Sequence, residues 1–597
     1  MTYSAPLREM QFLLDHVVGM SDLTALDRYS EATPDLVAAI LGEAGKFTAE
    51  VLAPLRRTGD LQGSKLVNGT VETPAGFKEA YAQYVDGGWN ALSADPEYGG
   101  QGMPFILSCA FMEMITSANM AFGLCPMLGQ GAVEALLAHA VPDLQDRYLP
   151  NLVSGKWTGT MNLTEPQAGS DVGALRTKAD RQADGSYLIQ GQKIFITWGD
   201  HDVAENVLHL VLARLPDAPQ GTKGISLFLV PKFMINDDGS LGARNDLRVV
   251  SLEHKLGIHA SPTCVMAFGD NGGCVGYLIG EENKGMSCMF TMMNHARLNV
   301  GLQGIGCAEL AYQQAYAYAR DRVQGVPMGT EPADRAPIFE HADVRRMLLT
   351  MKASTEAARA IAFLNANAMD LAHNATDKED RWWNQGLADL LTPLSKGYGT
   401  DIGVENASLA VQVHGGMGFI EETGVAQTLR DARITPIYEG TNGIQALDLV
   451  GRKLAQDGGE HWQALFRRIE GFLNSLPTDG DLGAIRTDLG DALVALRQAT
   501  AWIMAERAQN MRAVAAGATP YLRLFSMTVG GYLLAVGAKA AFAELKTPDA
   551  DREFLQSRVV LARFFAEQLL PPASALMGPI TRGDGLLFAL SPDQLAV

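Results

Sequence analysis

The chain has 597 residues, about four domains at roughly 150 residues each, and is too long for one hydrophobic core. Its 48 Lys and Arg against 67 Asp and Glu give a formal net charge of −19, which argues against a general grip on DNA or an anionic membrane, because phosphates repel such a surface at long range. Apolar residues at 47% exclude a disordered chain, and six cysteines with no CxxC pair are too few for a disulfide framework.

Residues 1–33 form an N-terminal extension. Its apolar cluster, Phe12, Leu13, Leu14, Val17 and Val18, is expected to dock on a neighbouring domain. The opening residues lack a basic start before an apolar core, so no signal peptide is expected, and a cytoplasmic, reducing setting is. Residues 34–155 read as a helical domain, with Leu36, Val37, Ile40, Leu41, Phe47, Val51, Leu52 and Leu55 recurring at steps near three and four. A Gly- and Pro-punctuated loop, Asp95 to Pro104, interrupts it. Over 156–280 short β-branched or alternating runs appear, at Tyr187–Gln190, Val207–Leu212 and Ile225–Val230, separated by Asp-Gly turns. That predicts a small antiparallel β domain. Helices return over 281–456, with long stretches at Leu298–Arg322, Ala342–Met369 and Trp383–Val413. Asp457-Gly458-Gly459 marks a boundary, after which 457–597 read as an additional helical domain. The longest apolar stretch, Leu524 to Ala538, falls short of the roughly 18–20 residues of a membrane span.

Several signatures are missing: GxxxxGK[ST], HExxH, GxSxG and a strand-GxGxxG-helix unit. This disfavours a P-loop ATPase, a simple zinc protease, an α/β-hydrolase and a nicotinamide-type Rossmann domain. His201, Glu205 and His209 would share a helix face and could hold zinc, but the run from Val207 reads as a strand, so no metal site is expected.

Three clusters carry chemistry. Thr164 to Asp171 combines a Pro turn, a Gly and several hydroxyl and carboxylate groups, and can offer N–H and O–H groups to an anionic or polar ligand; a solvated loop is the plainer reading. Gln412 to Phe419 ends a helix in glycines that permit close backbone approach, or simply a helix cap and turn. Arg430 to Asn442 places Glu439 between an aromatic ring and a Gly-Thr pair. A carboxylate among apolar groups is a candidate general base, since desolvation raises its pKa; a lone surface or capping Glu is the alternative.

Together these clusters change the reading. Met161-Asn162-Leu163-Thr164-Glu165-Pro166 with Ala168-Gly169-Ser170-Asp171, Gly191 to Thr197, Lys255-Leu256-Gly257 with Ser261-Pro262-Thr263, Gln412 to Gly418 and Arg430 to Thr441 resemble, in order and spacing, the acyl-CoA dehydrogenase family over at least residues 80–455. The resemblance implies an α+β fold: an N-terminal helical domain, a middle β domain and a C-terminal helical bundle, here with an additional helical domain. It also implies FAD as cofactor and oxidation of the Cα–Cβ bond of an acyl-CoA thioester. Glu439 would be the base, and its backbone N–H would help to stabilise the thioester oxygen. Met161, Leu163, Thr164, Gly169, Ser170, Phe195, Thr197 and Thr441 would contact FAD, with Arg322, Gln412 and Gly416 reaching it from a neighbouring subunit. Ser170, Asn294, Arg297, Tyr438 and Gly440 would contact the acyl-CoA.

Three positions depart from the family pattern. Phe195 stands where many members have Trp, Gly443 where many have Gln, and Arg322 precedes a segment one residue shorter than usual. The extra length resembles a long-form subgroup, whose implied reaction is 3-(methylthio)propanoyl-CoA to methylthioacryloyl-CoA in dimethylsulfoniopropionate catabolism. A short- or medium-chain fatty acyl-CoA is the alternative substrate. Met161, Met286, Met289, Met292 and Met293 could suit a thioether chain, or could simply be core. Some long relatives bind DNA through a basic tail; here basic and acidic residues mix after Asp457, so that role is not expected. An electron-transferring flavoprotein as electron acceptor and a homodimer, with neither nucleic acid nor membrane as partner, complete the expectations.

Overall fold

A computed structural model describes residues 3–329 and 334–596. Its principal helices are α1 (Leu7–His16), α2 (Phe105–His139), α3 (Gly285–Asp321), α4 (Ala342–Asn374), α5 (Lys378–His414), α6 (Asn442–Gly451), α7 (Gly480–Glu506), α8 (Ala518–Glu544) and α9 (Arg552–Phe564). The main sheet consists of β1 (Trp157–Asn162), β2 (Lys178–Arg181), β3 (Tyr187–Thr197), β4 (Asn206–Arg214), β5 (Ile225–Pro231), β6 (Leu247–Leu252), β7 (Thr263–Phe268) and β8 (Val275–Ile279). Residues 43–296 make one compact unit, and residues 3–42 with 297–596 make a second.

In the unit of residues 43–296 the strand order is β6-β7-β3-β8-β5-β4-β1, with β2 beside β3 and β4. The predicted runs are β3, β4 and β5. The sheet departs from the expected antiparallel pattern at one end, where β1 and β2 run parallel to β4. Alternation within a strand reports which face is buried, not the direction of its neighbour, so this pairing is invisible locally. Ile189, Ile196, Phe228, Val230, Met266 and Phe268 form part of the buried core. Helix α2 is kinked at Asn119, whose side chain accepts from the Phe122 N–H (3.3 Å).

In the other unit, α4 and α5 pack along their length, and α8 packs on α4, α5, α6, α7 and α9. The lead docks as expected: α1 packs on α8 and α4, and the ring of Phe12 meets Phe554 edge-on at 5.6 Å. A buried charge network joins the lead to α4 and α9. Lys352 Nζ lies 3.0 Å from Glu9 and 3.3 Å from Glu356, and Glu356 accepts from Arg558 at 2.6 Å. Asp457 and Gly458 do form a turn, with φ of 48° and 67°, but the helices beyond it pack into the same unit as the bundle. Helix α5 starts at the Asp377 cap, whose carboxylate accepts from the Glu379 N–H at 2.6 Å. Helices α3 and α5 cross backbone to backbone. A Cβ on Gly301 would lie 2.5 Å from the Ser395 carbonyl oxygen, and one on Gly304 2.2 Å from that of Gly399, so only glycine permits this crossing.

Among the described residues two helices, α2 and α8, are long and apolar enough to cross a membrane by length and composition. The sequence reading singled out part of α8 and missed α2. Their apolar windows are 94% and 83% buried within the protein. Length and hydropathy do not distinguish a core helix from a span; burial does.

Candidate active site

In the unit of residues 43–296, the chain leaves β1 after Asn162 and turns through Leu163 to Asp171. A two-residue bridge closes the turn: the Glu165 N–H donates to the Ala168 carbonyl (3.1 Å) and the Ala168 N–H to that of Glu165 (2.9 Å). The Glu165 carboxylate points inward. It accepts from the Arg176 N–H (2.7 Å), the Thr177 N–H (3.0 Å), the Thr177 hydroxyl (2.6 Å) and Lys193 Nζ (2.9 Å). Lys193 also donates to the Leu163 carbonyl at 3.0 Å. Burial pushes the Glu165 carboxyl up, but Lys193, Thr177 and the Arg176 amide outweigh it and hold it at about 2. Burial pushes Lys193 down to about 8 against the pull of Glu165. This buried pair fixes the loop and leaves Gly169 and Ser170 exposed at its tip.

Lys193 lies in β3 just before a β-bulge. Cys264 faces Ile196 and Met266 faces Lys193, so Ile194 and Phe195 together oppose Val265. Phe195 takes the extra position with φ +58°, and 59% of its surface is exposed. A left-handed phenylalanine is strained, and an exposed one gains little from burial, so the bulge points to a ligand that uses the ring. Met161 is buried, Leu163, Thr164 and Thr197 are half-buried, and the Thr197 carbonyl accepts from the Thr160 hydroxyl (2.8 Å). The methionine cluster is partly core: Met289 and Met292 are buried, and Met292 packs against Gly131. His201 and His209 do not share a helix face. His209 lies on β4 and Glu205 is exposed. Burial pushes both imidazoles down to about 3, with Lys232 adding to it.

In the second unit, Pro436 to Asn442 forms a loop closed by the Asn442 N–H on the Pro436 carbonyl (3.0 Å). Glu439 has φ +56° and Gly440 φ +83°. A Cβ at Gly440 would lie 2.8 Å from Gln445 Nε2, which explains the glycine. The Thr441 hydroxyl caps α6 by accepting from the Ile444 N–H (3.2 Å). The Tyr438 hydroxyl donates to Gln303 on α3. Glu439 is half-buried. Burial raises its carboxyl above the ordinary range, opposed by Arg297 and then Lys396. Buried Arg297 pairs with Asp448 of α6 at 3.6 Å. Among the described residues, the Glu439 N–H has no protein acceptor.

The structure thus brings Arg297, Tyr438, Glu439, Gly440 and Thr441 together. Arg322, Gln412 and Gly416 form a separate exposed group: Tyr318 stacks on His414 at 4.3 Å, so the C-terminal ends of α3 and α5 lie side by side. Half-buried Asn294 precedes Arg297 by one turn on α3. Sequence reasoning gave no role to Glu165, Lys193, Lys396, Asn442 or Gln445. Glu165 and Lys193 lay inside quoted motifs, and Lys396 was visible only as a charge in the apolar run of α5.

The residues over 38–156, 160–271 and 283–454 match the models of the acyl-CoA dehydrogenase N-terminal, middle and C-terminal domains. Residues 465–591 match a model described as acetyl-CoA dehydrogenase C-terminal like. The 3-methylmercaptopropionyl-CoA dehydrogenase of Ruegeria pomeroyi is 48% identical to this chain over 99% of it and 100% of the relative. The chain belongs to the acyl-CoA dehydrogenase family. A butyryl-CoA dehydrogenase of Syntrophomonas wolfei is 37% identical over 95% of each chain. The crystal structure of a Bacillus anthracis acyl-CoA dehydrogenase complexed with FAD superposes with a TM-score of 0.74, covering 100% of this chain and 94% of that one at 19% identity. This likeness extends the acyl-CoA dehydrogenase fold through the additional helical domain.

Proposed function

We propose that this chain is an FAD-dependent acyl-CoA dehydrogenase whose substrate is 3-(methylthio)propanoyl-CoA, oxidised across Cα–Cβ to methylthioacryloyl-CoA. The observation that carries the chemistry is Glu439: a half-buried carboxylate of raised basicity, in a strained turn, beside its own free N–H. The substrate rests on the full-length similarity to the Ruegeria pomeroyi enzyme.

The residues fit a flavin. Phe195 offers an exposed aromatic face, Thr164, Ser170 and Thr197 offer hydroxyls, and added Cβ atoms at Gly169 and Gly416 would meet nothing within 4 Å, so the backbone there is open to a phosphate or ring edge. Met161, Leu163 and Thr441 would complete the contacts, with Arg322, Gln412 and Gly416 supplied across a homodimer. FAD, when bound, takes up the two electrons and the hydrogen that leave the β-carbon. Glu439 removes the α-proton. Its N–H donates to the thioester oxygen as negative charge develops there. By resemblance to the family, Asn294 and Arg297 would orient the CoA end, and Ser170, Tyr438 and Gly440 are the residues expected to contact the acyl thioester. Carboxylate and amide belong to the same residue, so the left-handed turn that fixes the Glu439 backbone sets base and oxyanion donor together.

Reoxidation by an electron-transferring flavoprotein and a cytoplasmic location complete the reading; the six cysteines, all buried free thiols, support a reducing compartment. Anaerobic titration of the yellow enzyme with 3-(methylthio)propanoyl-, butanoyl- and octanoyl-CoA tests it. Preferential bleaching of the flavin band by the thioether substrate is expected. The similarity to the Syntrophomonas wolfei butyryl-CoA dehydrogenase favours one second reading, a straight short-chain substrate, which preferential bleaching by butanoyl-CoA would establish. A flavin reduced by none of the three overturns both.

A further inference from the structure

Lys396 sits in the middle of α5 with its side chain fully buried. Among the described residues it makes no ion pair; its hydrogen bond is to a neutral amide, Asn442 Oδ1, at 2.9 Å. A buried ammonium with only a neutral partner is costly, and a structural lysine would carry a carboxylate, as Lys193 does. Asn442 ends the loop that carries Glu439. Its Nδ2 donates to Asp401 Oδ1 (2.7 Å), to the Thr400 hydroxyl (2.9 Å) and to the Gly397 carbonyl (3.1 Å), so its amide is held among one turn of α5. The charge of Lys396 therefore lies under the loop that carries Glu439.

We propose that Lys396 is a positioning residue for Glu439: through Asn442 it ties the Glu439–Gly440 turn to α5, and its charge, when present, favours the ionised form of the Glu439 carboxylate. The inference rests on Glu439 being the base. Among the described residues, the charged groups acting on Glu439 are Arg297 from α3 and then Lys396 from α5. Lys396 in turn faces Glu439, Asp401 and Arg297, and Arg297 is shared with Asp448 and Arg452. Arg297 is thus partly neutralised by Asp448, whereas Lys396 is not paired. Burial pushes Lys396 down to about 7, so its charge is present on the acid side of neutrality, where it opposes the effect of burial on Glu439.

Two variants separate charge from tether. Lys396→Gln keeps a donor for Asn442 and removes the charge; Lys396→Met removes both. The measurement is the pH profile of kcat/KM on the FAD-loaded enzyme with 3-(methylthio)propanoyl-CoA and with butanoyl-CoA. In both variants the acid limb is expected to move up by about one pH unit, as for a carboxylate that loses a nearby cation. Lys396→Arg should bring it back. At the plateau, kcat of Lys396→Met is expected to fall about tenfold below that of Lys396→Gln, from the lost hydrogen bond. An unmoved acid limb in Lys396→Gln overturns the charge role, and equal plateaus overturn the tether. If Lys396→Met does not fold, the Lys396→Gln profile decides. Glu439→Gln, measured alongside, separates the two readings. Turnover surviving in it removes the base assignment, whereas an inactive Glu439→Gln beside a wild-type Lys396→Gln profile removes only the role of Lys396.

Discussion

Lys193 and Lys396 are both buried lysines beside a turn that holds a non-glycine residue in left-handed backbone, Phe195 in one case and Glu439 in the other. Their charges are met differently. Lys193 ends on the Glu165 carboxylate and the Leu163 carbonyl, inside a cluster that satisfies every partner. Lys396 ends on the Asn442 amide, and its charge acts on Glu439 and Asp401 without an ion pair to either among the described residues. The first arrangement braces a loop that presents a ring and hydroxyls; the second would bias the proposed proton acceptor. A buried cation can therefore serve shape or chemistry, and what decides is whether its counter-charge is consumed locally.

This contrast can be broken at both ends. The largest effect is expected at the base: Glu439→Gln should retain FAD, seen as an unchanged visible spectrum, while kcat falls by about three orders of magnitude. Near-normal turnover would remove Glu439 from the role. Next comes the brace. Lys193→Met strands a buried carboxylate and should cost about 3–5 kcal/mol in urea unfolding, with loss of flavin. The double variant Glu165→Gln/Lys193→Met should recover much of that; a double variant no more stable than Lys193→Met would show that the pair is not the source. Third, the acid limb of kcat/KM should lie above the ordinary glutamate value of about 4.3, because Glu439 must be ionised to accept a proton and its folded pKa is raised. Activity is then lost as pH falls through the raised value, and a limb at or below 4.3 would contradict the burial argument. The smallest effect is at the bulge. Phe195→Gly suits the +58° backbone and should change unfolding by about 1 kcal/mol or less, while weakening FAD binding in an apoenzyme titration. Unchanged affinity would take the ring out of the cofactor site.

Much of the fold was legible. Phe12, Leu13 and Leu14 mark the docking face of α1, the alternating runs became β3, β4 and β5, and the long apolar periodicities became α3, α4 and α5. The parallel edge of the sheet was not legible, because pairing direction leaves no trace in one strand. Helix α2 is not legible as an apolar helix of spanning length because glycines, a proline and polar residues punctuate it, and most of these are buried with it. In the candidate site the motif residues were found where hydroxyls, glycines and a carboxylate cluster along the chain. The two lysines were not, since Lys193 reaches Glu165 across 28 positions and Lys396 reaches Asn442 across 46.

By itself the sequence determined the order of helical and β regions and the family they resemble, and through that resemblance it marked Glu439 as the candidate base. Each of these is written in residue types at short spacing, where periodicity and local chemistry act. Only the tertiary structure decided which charges are compensated, where the bulge turns Phe195 outward, and how close α3 and α5 approach beneath the Glu439 turn. Those features depend on burial and on partners distant in the chain, and a side chain's pKa, strain and exposure are properties of that environment rather than of the residue.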